Sequence, residues 1–126
     1  MRAFLGGAPF VFTGPDRWNA LGLGSTGLSS MPLVYNTKRS GTFEFGARRF
    51  RLRRVAFPGE DPPAEWFVVD LMDHADEAGV ARGDVARALR GALATGRFDR
   101  ARLETMAGTF GTRETRELIQ AALATP

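Results

Sequence analysis

The sequence predicts an α+β fold with its strands first and its helices last. Three observations carry that expectation: period-two alternation of apolar and charged residues around position 45, a Pro- and Gly-rich break from Phe57 to Pro63, and helical spacing of apolar residues from position 64 onward. At 126 residues, 44% of them hydrophobic and 25% charged, the chain is long enough for one core and too short for two. A single domain over 1–126 is therefore expected, with a β-rich basic part over 1–57 and a helical part over 64–126.

Taken in order, Phe10-Val11-Phe12 reads as a short buried strand, and Thr13-Gly14-Pro15 as a helix start with proline at the first helical position. That helix carries Trp18 and Leu21 before Gly22 and Gly24 stop it. Leu33-Val34-Tyr35 is a second β-type run, introduced by Pro32. The clearest local signal follows: Thr42-Phe43-Glu44-Phe45, a turn at Gly46-Ala47-Arg48, and Arg49-Phe50-Arg51-Leu52-Arg53. Both arms alternate, which predicts an antiparallel hairpin over about 42–55 with Phe43, Phe45, Phe50 and Leu52 toward a core and Arg49, Arg51 and Arg53 on the outer face.

About four short helices are expected beyond the break. Val68, Leu71, Met72, Ala75 and Ala78 share a face of the first, and Val85, Ala86, Leu89, Ala92 and Leu93 a face of the second, which Gly96 ends. Asp99 is a good N-cap for a third that buries Leu103, Met106 and Phe110, and a fourth from near Thr112 buries Leu118, Ile119 and Ala122.

Composition narrows the chemistry. Without cysteine there is no disulfide, thiolate nucleophile or Cys-based zinc site, and His74 is the single histidine. No apolar run reaches the roughly 18–20 residues of a membrane span, so no membrane partner and a cytoplasmic location are expected. Gly22-Leu23-Gly24-Ser25-Thr26-Gly27 matches G-x-G-x-x-G but lacks the strand before it and the helix after it, and reads as a Gly-rich turn. Asp70 and His74, at i,i+4 with Asp73 between them, have the spacing of a metal pair. A helical projection instead sets Asp70, Asp73, His74 and Glu77 opposite Val68, Leu71 and Ala75, as a solvated acidic stripe, and leaves Trp66 on the polar side as a lid or partner contact. Ser25, Ser29, Ser30 and Ser40 lie far from His74 in sequence and no G-x-S-x-G elbow occurs. No catalytic residue, metal or cofactor is expected, and the chain reads as a binding module.

Charge is split along the chain. Residues 1–59 hold nine basic and two acidic residues, whereas 60–126 hold eight basic and twelve acidic, seven of them between Glu60 and Glu77. The candidate binding surface is Arg49, Arg51 and Arg53, with Arg48 at the turn and Asn36, Lys38 and Arg39 on the neighbouring loop. Such a face either meets an anionic partner or pairs internally with the acidic helix Asp70 to Glu77.

The stretches Phe10-Val11-Phe12-Thr13-Gly14-Pro15, Trp18-Asn19-Ala20-Leu21-Gly22-Leu23-Gly24-Ser25-Thr26 and Pro32-Leu33-Val34-Tyr35-Asn36-Thr37-Lys38-Arg39 resemble the C-terminal antitoxin domain of bacterial AbiEi-type abortive-infection proteins. The hairpin fits the resemblance, as do Phe98-Asp99-Arg100-Ala101-Arg102-Leu103 and Phe110-Gly111-Thr112-Arg113-Glu114-Thr115-Arg116. It is a resemblance to that domain without the N-terminal winged helix by which family members usually bind operator DNA. It implies a phage-defence antitoxin of a type IV toxin-antitoxin system, counteracting an AbiEii-type nucleotidyltransferase toxin directly or indirectly, with RNA or DNA as a further partner of the basic face. The alternative expectation is a nucleic-acid-binding or transcriptional regulatory module of a bacterial defence operon.

Overall fold

The computed structural model describes residues 10–13, 15–23, 33–36, 40–45, 48–54, 62–76 and 78–124, with the side chains of Pro15, Asp16, Phe43, Phe45, Arg48, Phe50 and Arg54 outside the description. The fold is α+β: a four-stranded sheet in the first half and a cluster of helices in the second. Its elements are β1 (Phe10–Thr13), α1 (Pro15–Ala20), β2 (Leu33–Asn36), β3 (Gly41–Phe45), β4 (Arg48–Arg54), α2 (Ala64–Asp73), α3 (Arg82–Ala94), α4 (Arg100–Phe110) and α5 (Arg113–Ala124).

The sheet order is β1-β2-β4-β3. The β3–β4 hairpin is antiparallel, pairing Phe43 with Phe50 and Glu44 with Arg49, as the alternation predicts. A hairpin read by itself does not say which strand lies beside it. β4 pairs in parallel with β2, setting Leu33 beside Arg51 and Tyr35 beside Arg53, while β1 closes the other edge antiparallel to β2 with Val11 opposite Tyr35. Paired residues share a sheet face. The face bearing Arg49, Arg51 and Arg53 is thus also that of Tyr35, Leu33, Val11 and Thr13, which turns toward the helices. Arg49 and Arg51 are nevertheless exposed, as expected, and the expectation of an outer face is corrected for Arg53, which is half-buried beside Tyr35. In β1, Val11 is buried and Phe12 is 43% exposed, so only alternate residues of that strand are interior.

α2 is the organising helix. Every residue from Glu65 to Met72 is buried, because the helix has Tyr35 of the sheet against Trp66 on one side and α3, α4 and α5 on others. Burying side chains such as Phe67, Leu71 and Met72 stabilises the fold by about 1.5–3 kcal/mol each. Its carboxylates are spent on neighbouring elements. Glu65 Oε2 accepts from the Asp99 backbone N–H at 3.0 Å and Asp73 Oδ1 from the Thr112 N–H and hydroxyl at 3.2 Å, so the two side chains meet the N-terminal ends of α4 and α5. Asp99 caps α4 as its position predicts, accepting from Arg102 N–H at 2.9 Å. At the other end of α2, Arg82 Nε donates to the Met72 carbonyl at 3.0 Å.

The stops also follow from local chemistry. Gly22, beyond α1, and Gly96, beyond α3, hold φ of 69° and 74°, the left-handed region that ends helices and that glycine enters without steric cost. Leu103, Ile119 and Ala122 are buried as their spacing predicts, with Met106, Phe110 and Leu118 partly buried against the same core.

Candidate functional site

The structure separates the seven residues of the predicted basic surface. Arg51 is exposed, and Arg49 is exposed and pairs with Glu44 at 3.1 Å, an ion pair of a kind that contributes only about 0–1 kcal/mol in water. Arg53 is half-buried, its guanidinium 5.9 Å from the Tyr35 ring centroid. Asn36 is fully buried in β2 and offers no surface to a partner. Arg48 is placed only by its backbone pairing with Phe45, and Lys38 and Arg39 lie outside the described residues, as do Gly24 to Gly27 of the Gly-rich turn and Glu77 of the acidic stretch.

The acidic helix does not present a solvated stripe. Asp70 is only 5% exposed, and its carboxylate accepts hydrogen bonds from Thr13 Oγ1 at 2.9 Å and Trp18 Nε1 at 2.8 Å through Oδ2, and from the Tyr35 hydroxyl at 2.7 Å through Oδ1. The imidazole of His74 adds a fourth contact, Nδ1 lying 3.3 Å from Asp70 Oδ1 and 2.9 Å from the Asp70 carbonyl. Three neutral donors and one imidazole fill the lone-pair positions of one buried carboxylate. Trp66, placed on the polar side by the projection, is 3% exposed and packs edge-on against Tyr35 and Phe67. A one-faced projection misplaces both residues because α2 is packed on all sides. A local signal was present: in Phe67-Val68-Val69-Asp70-Leu71-Met72 the carboxylate stands within an apolar run, where an ionised group is retained only if donors reach it.

Tyr35, Trp66, Val69, Asp70, Asp73, His74, Thr109 and Phe110 line a cleft of about 330 Å³ between the sheet, α2 and the end of α4. That volume is at the lower end of small-molecule sites. The Tyr35 hydroxyl is held far above the ordinary phenol range by burial and by the Asp70 charge and hydrogen bond, with Arg53 opposing, so it remains a donor. For His74, burial pushes the imidazole down, and the Asp70 hydrogen bonds and charge outweigh burial and Arg53, leaving its pKa above 6.5. Both neighbours of Nδ1 are acceptors, so Nδ1 carries a proton and Nε2 is the nitrogen left for chemistry. Trp18 stacks on the ring at 6.0 Å and fixes its plane.

A raised histidine pKa makes folding stability depend on pH with a definite sign. The contribution is fully present below the unfolded value near 6.5 and is lost as pH rises through the higher folded value. We expect His74 to titrate above 6.5 by NMR. The unfolding midpoint of the wild type should fall between about pH 6 and about pH 8 by more than that of His74→Gln. Equal slopes in the two proteins would refute the coupling.

Chemically, the arrangement is an oriented imidazole in a cleft. No side-chain hydroxyl is hydrogen-bonded to Nε2, and no group of three or more His, Cys, Asp or Glu placed to hold a metal ion occurs, among the described residues. No described helix is long and apolar enough to cross a membrane. No family model, curated protein or solved structure matches this chain. Function therefore rests on the residues themselves.

Proposed function

We propose that this chain is an antitoxin domain of the AbiEi type, a binding module that counteracts a nucleotidyltransferase toxin of the AbiEii type through the cationic side of β4. The observation that carries the reading is the convergence of the stretches that bear the resemblance. Thr13, Trp18 and Tyr35, one from each, close on the single carboxylate of Asp70. The motif residues thus act as one unit that fixes β1, α1 and β2 on α2, and with them β4, whose Arg49 and Arg51 reach solvent. In this reading Asp70 and its donors hold the frame, and the exposed arginines make the contact.

Co-expression with an AbiEii-type toxin is the test. The wild-type chain should restore growth, the double reversal Arg49→Glu, Arg51→Glu should reduce rescue at least about tenfold in colony count, and Arg116→Glu, on the exposed side of α5, should leave it intact. Absence of rescue by the wild type would discard the antitoxin reading, and full rescue by the double reversal would discard the surface.

A further inference from the structure

The cleft above Asp70 has a chemistry that the antitoxin reading does not use. Its walls are aromatic: Tyr35 from β2, Trp66 from α2 and Phe110 from the end of α4. Its floor is anionic. Asp70 is saturated by its four contacts, but Asp73 engages Thr112 through Oδ1 only and leaves Oδ2 without a partner among the described residues. Nε2 of His74 is likewise without one, and while the ring is neutral it is a further acceptor. Arg53, its guanidinium 5.9 Å from the Tyr35 ring centroid, is not a lining residue.

A second, independent observation comes from Trp66. The residue is 97% removed from solvent, at 3% exposure, yet its indole N–H has no hydrogen-bond partner among the described residues. Among those residues the one side-chain polar atom that is both sealed from solvent and unpartnered is Thr115 Oγ1, so the Trp66 nitrogen lies on the small surface this ring retains. Trp66 lines the cleft, so this solvent-accessible N–H is a donor open to an acceptor on a molecule seated there.

We propose that the cleft binds a small organic cation: an ammonium or guanidinium group that donates to Asp73 Oδ2 and His74 Nε2, on an apolar stem packed between Tyr35, Trp66 and Phe110. A carbonyl oxygen on the same compound receives the Trp66 N–H. Aromatic faces attract such cations through their quadrupoles, and a carboxylate beside them sets direction and charge selectivity. The site acts independently of the exposed arginines of β4, so it stands or falls apart from the antitoxin reading.

Titration calorimetry of the intact chain with three probes tests it. L-argininamide carries both cation and carbonyl, agmatine the cation alone, and propionamide the carbonyl alone. Argininamide should bind saturably, agmatine more weakly, and propionamide not at all. Asp73→Asn keeps an amide oxygen for Thr112 and removes the charge, so it should weaken both cations at least about tenfold without unfolding the chain. Trp66→Phe should erase the preference for argininamide over agmatine. Acidification should weaken binding as the His74 ring gains its second proton, with Asp70 and Asp73 on α2, Tyr35 on β2 and Arg53 on β4 as the charged or titratable groups around it. A blocked Gly-Arg-Gly peptide distinguishes the source: binding equal to argininamide assigns the cation to a polypeptide side chain, and binding by the free compounds alone assigns it to a metabolite. No saturable binding of either cation, or binding unchanged in Asp73→Asn, overturns the proposal.

Discussion

Replacing Asp70 by alanine is expected to destabilise the chain by about 3–5 kcal/mol, a large share of the roughly 5–15 kcal/mol that holds a domain of this size together. The reason lies in what the substitution leaves behind. Thr13, Trp18 and Tyr35 are all buried, and each would lose the acceptor it now reaches within 2.9 Å. A buried donor left unsatisfied costs about 1–3 kcal/mol, and water entering from the adjacent cleft recovers part of the sum. Asp70→Asn should be milder, at about 1–3 kcal/mol. Its amide oxygen can face Trp18, which only donates, while the NH₂ turns toward Tyr35, whose hydroxyl can accept, and His74, which keeps the Asp70 carbonyl as a partner. Urea unfolding of the wild type, Asp70→Asn and Asp70→Ala should rank them in that order. An Asp70→Ala protein within about 1 kcal/mol of the wild type would mean that the carboxylate does not hold sheet and helices together.

How much of this was legible depends on the range over which each feature is encoded. Asp99 as a cap, Gly96 as a stop and the alternation of the β3–β4 hairpin are set by residues within a turn or two of one another, and each stands where the sequence places it. The partner strand of β4 is not local information. The parallel pairing with β2 sets Arg53 beside Tyr35 and half-buries it while Arg49 and Arg51 stay exposed, and no spacing inside the hairpin reports it. The candidate cleft was hidden for the same reason. The donors to Asp70 stand 57, 52 and 35 residues away in sequence, and the helical projection assumed that α2 had a free side. Of the basic residues, the sequence identified Arg49 and Arg51 as exposed. It did not separate them from Arg53, which differs from them only in lying beside Tyr35.

Trp18→Ala should be nearly as damaging as loss of Asp70, at about 3–5 kcal/mol, and for a different reason. The indole is 1% exposed, it donates to Asp70, and it stacks on His74 with the rings 8° from parallel. Its removal leaves a cavity and an empty acceptor position together. α1 has six residues, fewer than the roughly 12–15 an isolated helix needs, so it exists only while Trp18 and Leu21 are docked, with Arg17 lying 4.6 Å over the Phe67 ring. Trp18→Phe retains most of the packing and loses the donor, and is expected to cost about 1–2 kcal/mol. Hydrogen exchange separates a local from a global effect. In Trp18→Ala, the hydrogen-bonded amides that close α1, those of Leu21 and Gly22 among them, should lose protection first, while those of α3 and α5, which pack on each other away from the cleft, keep it. Retained protection in α1 would show that the helix is held by contacts other than its tryptophan. A Trp18→Ala chain that fails to rescue growth while its exposed Arg49 and Arg51 remain in place would then identify the N-terminal motif as the frame of the cationic surface, whereas failure of Trp18→Phe with full stability would make the indole N–H itself part of the contact.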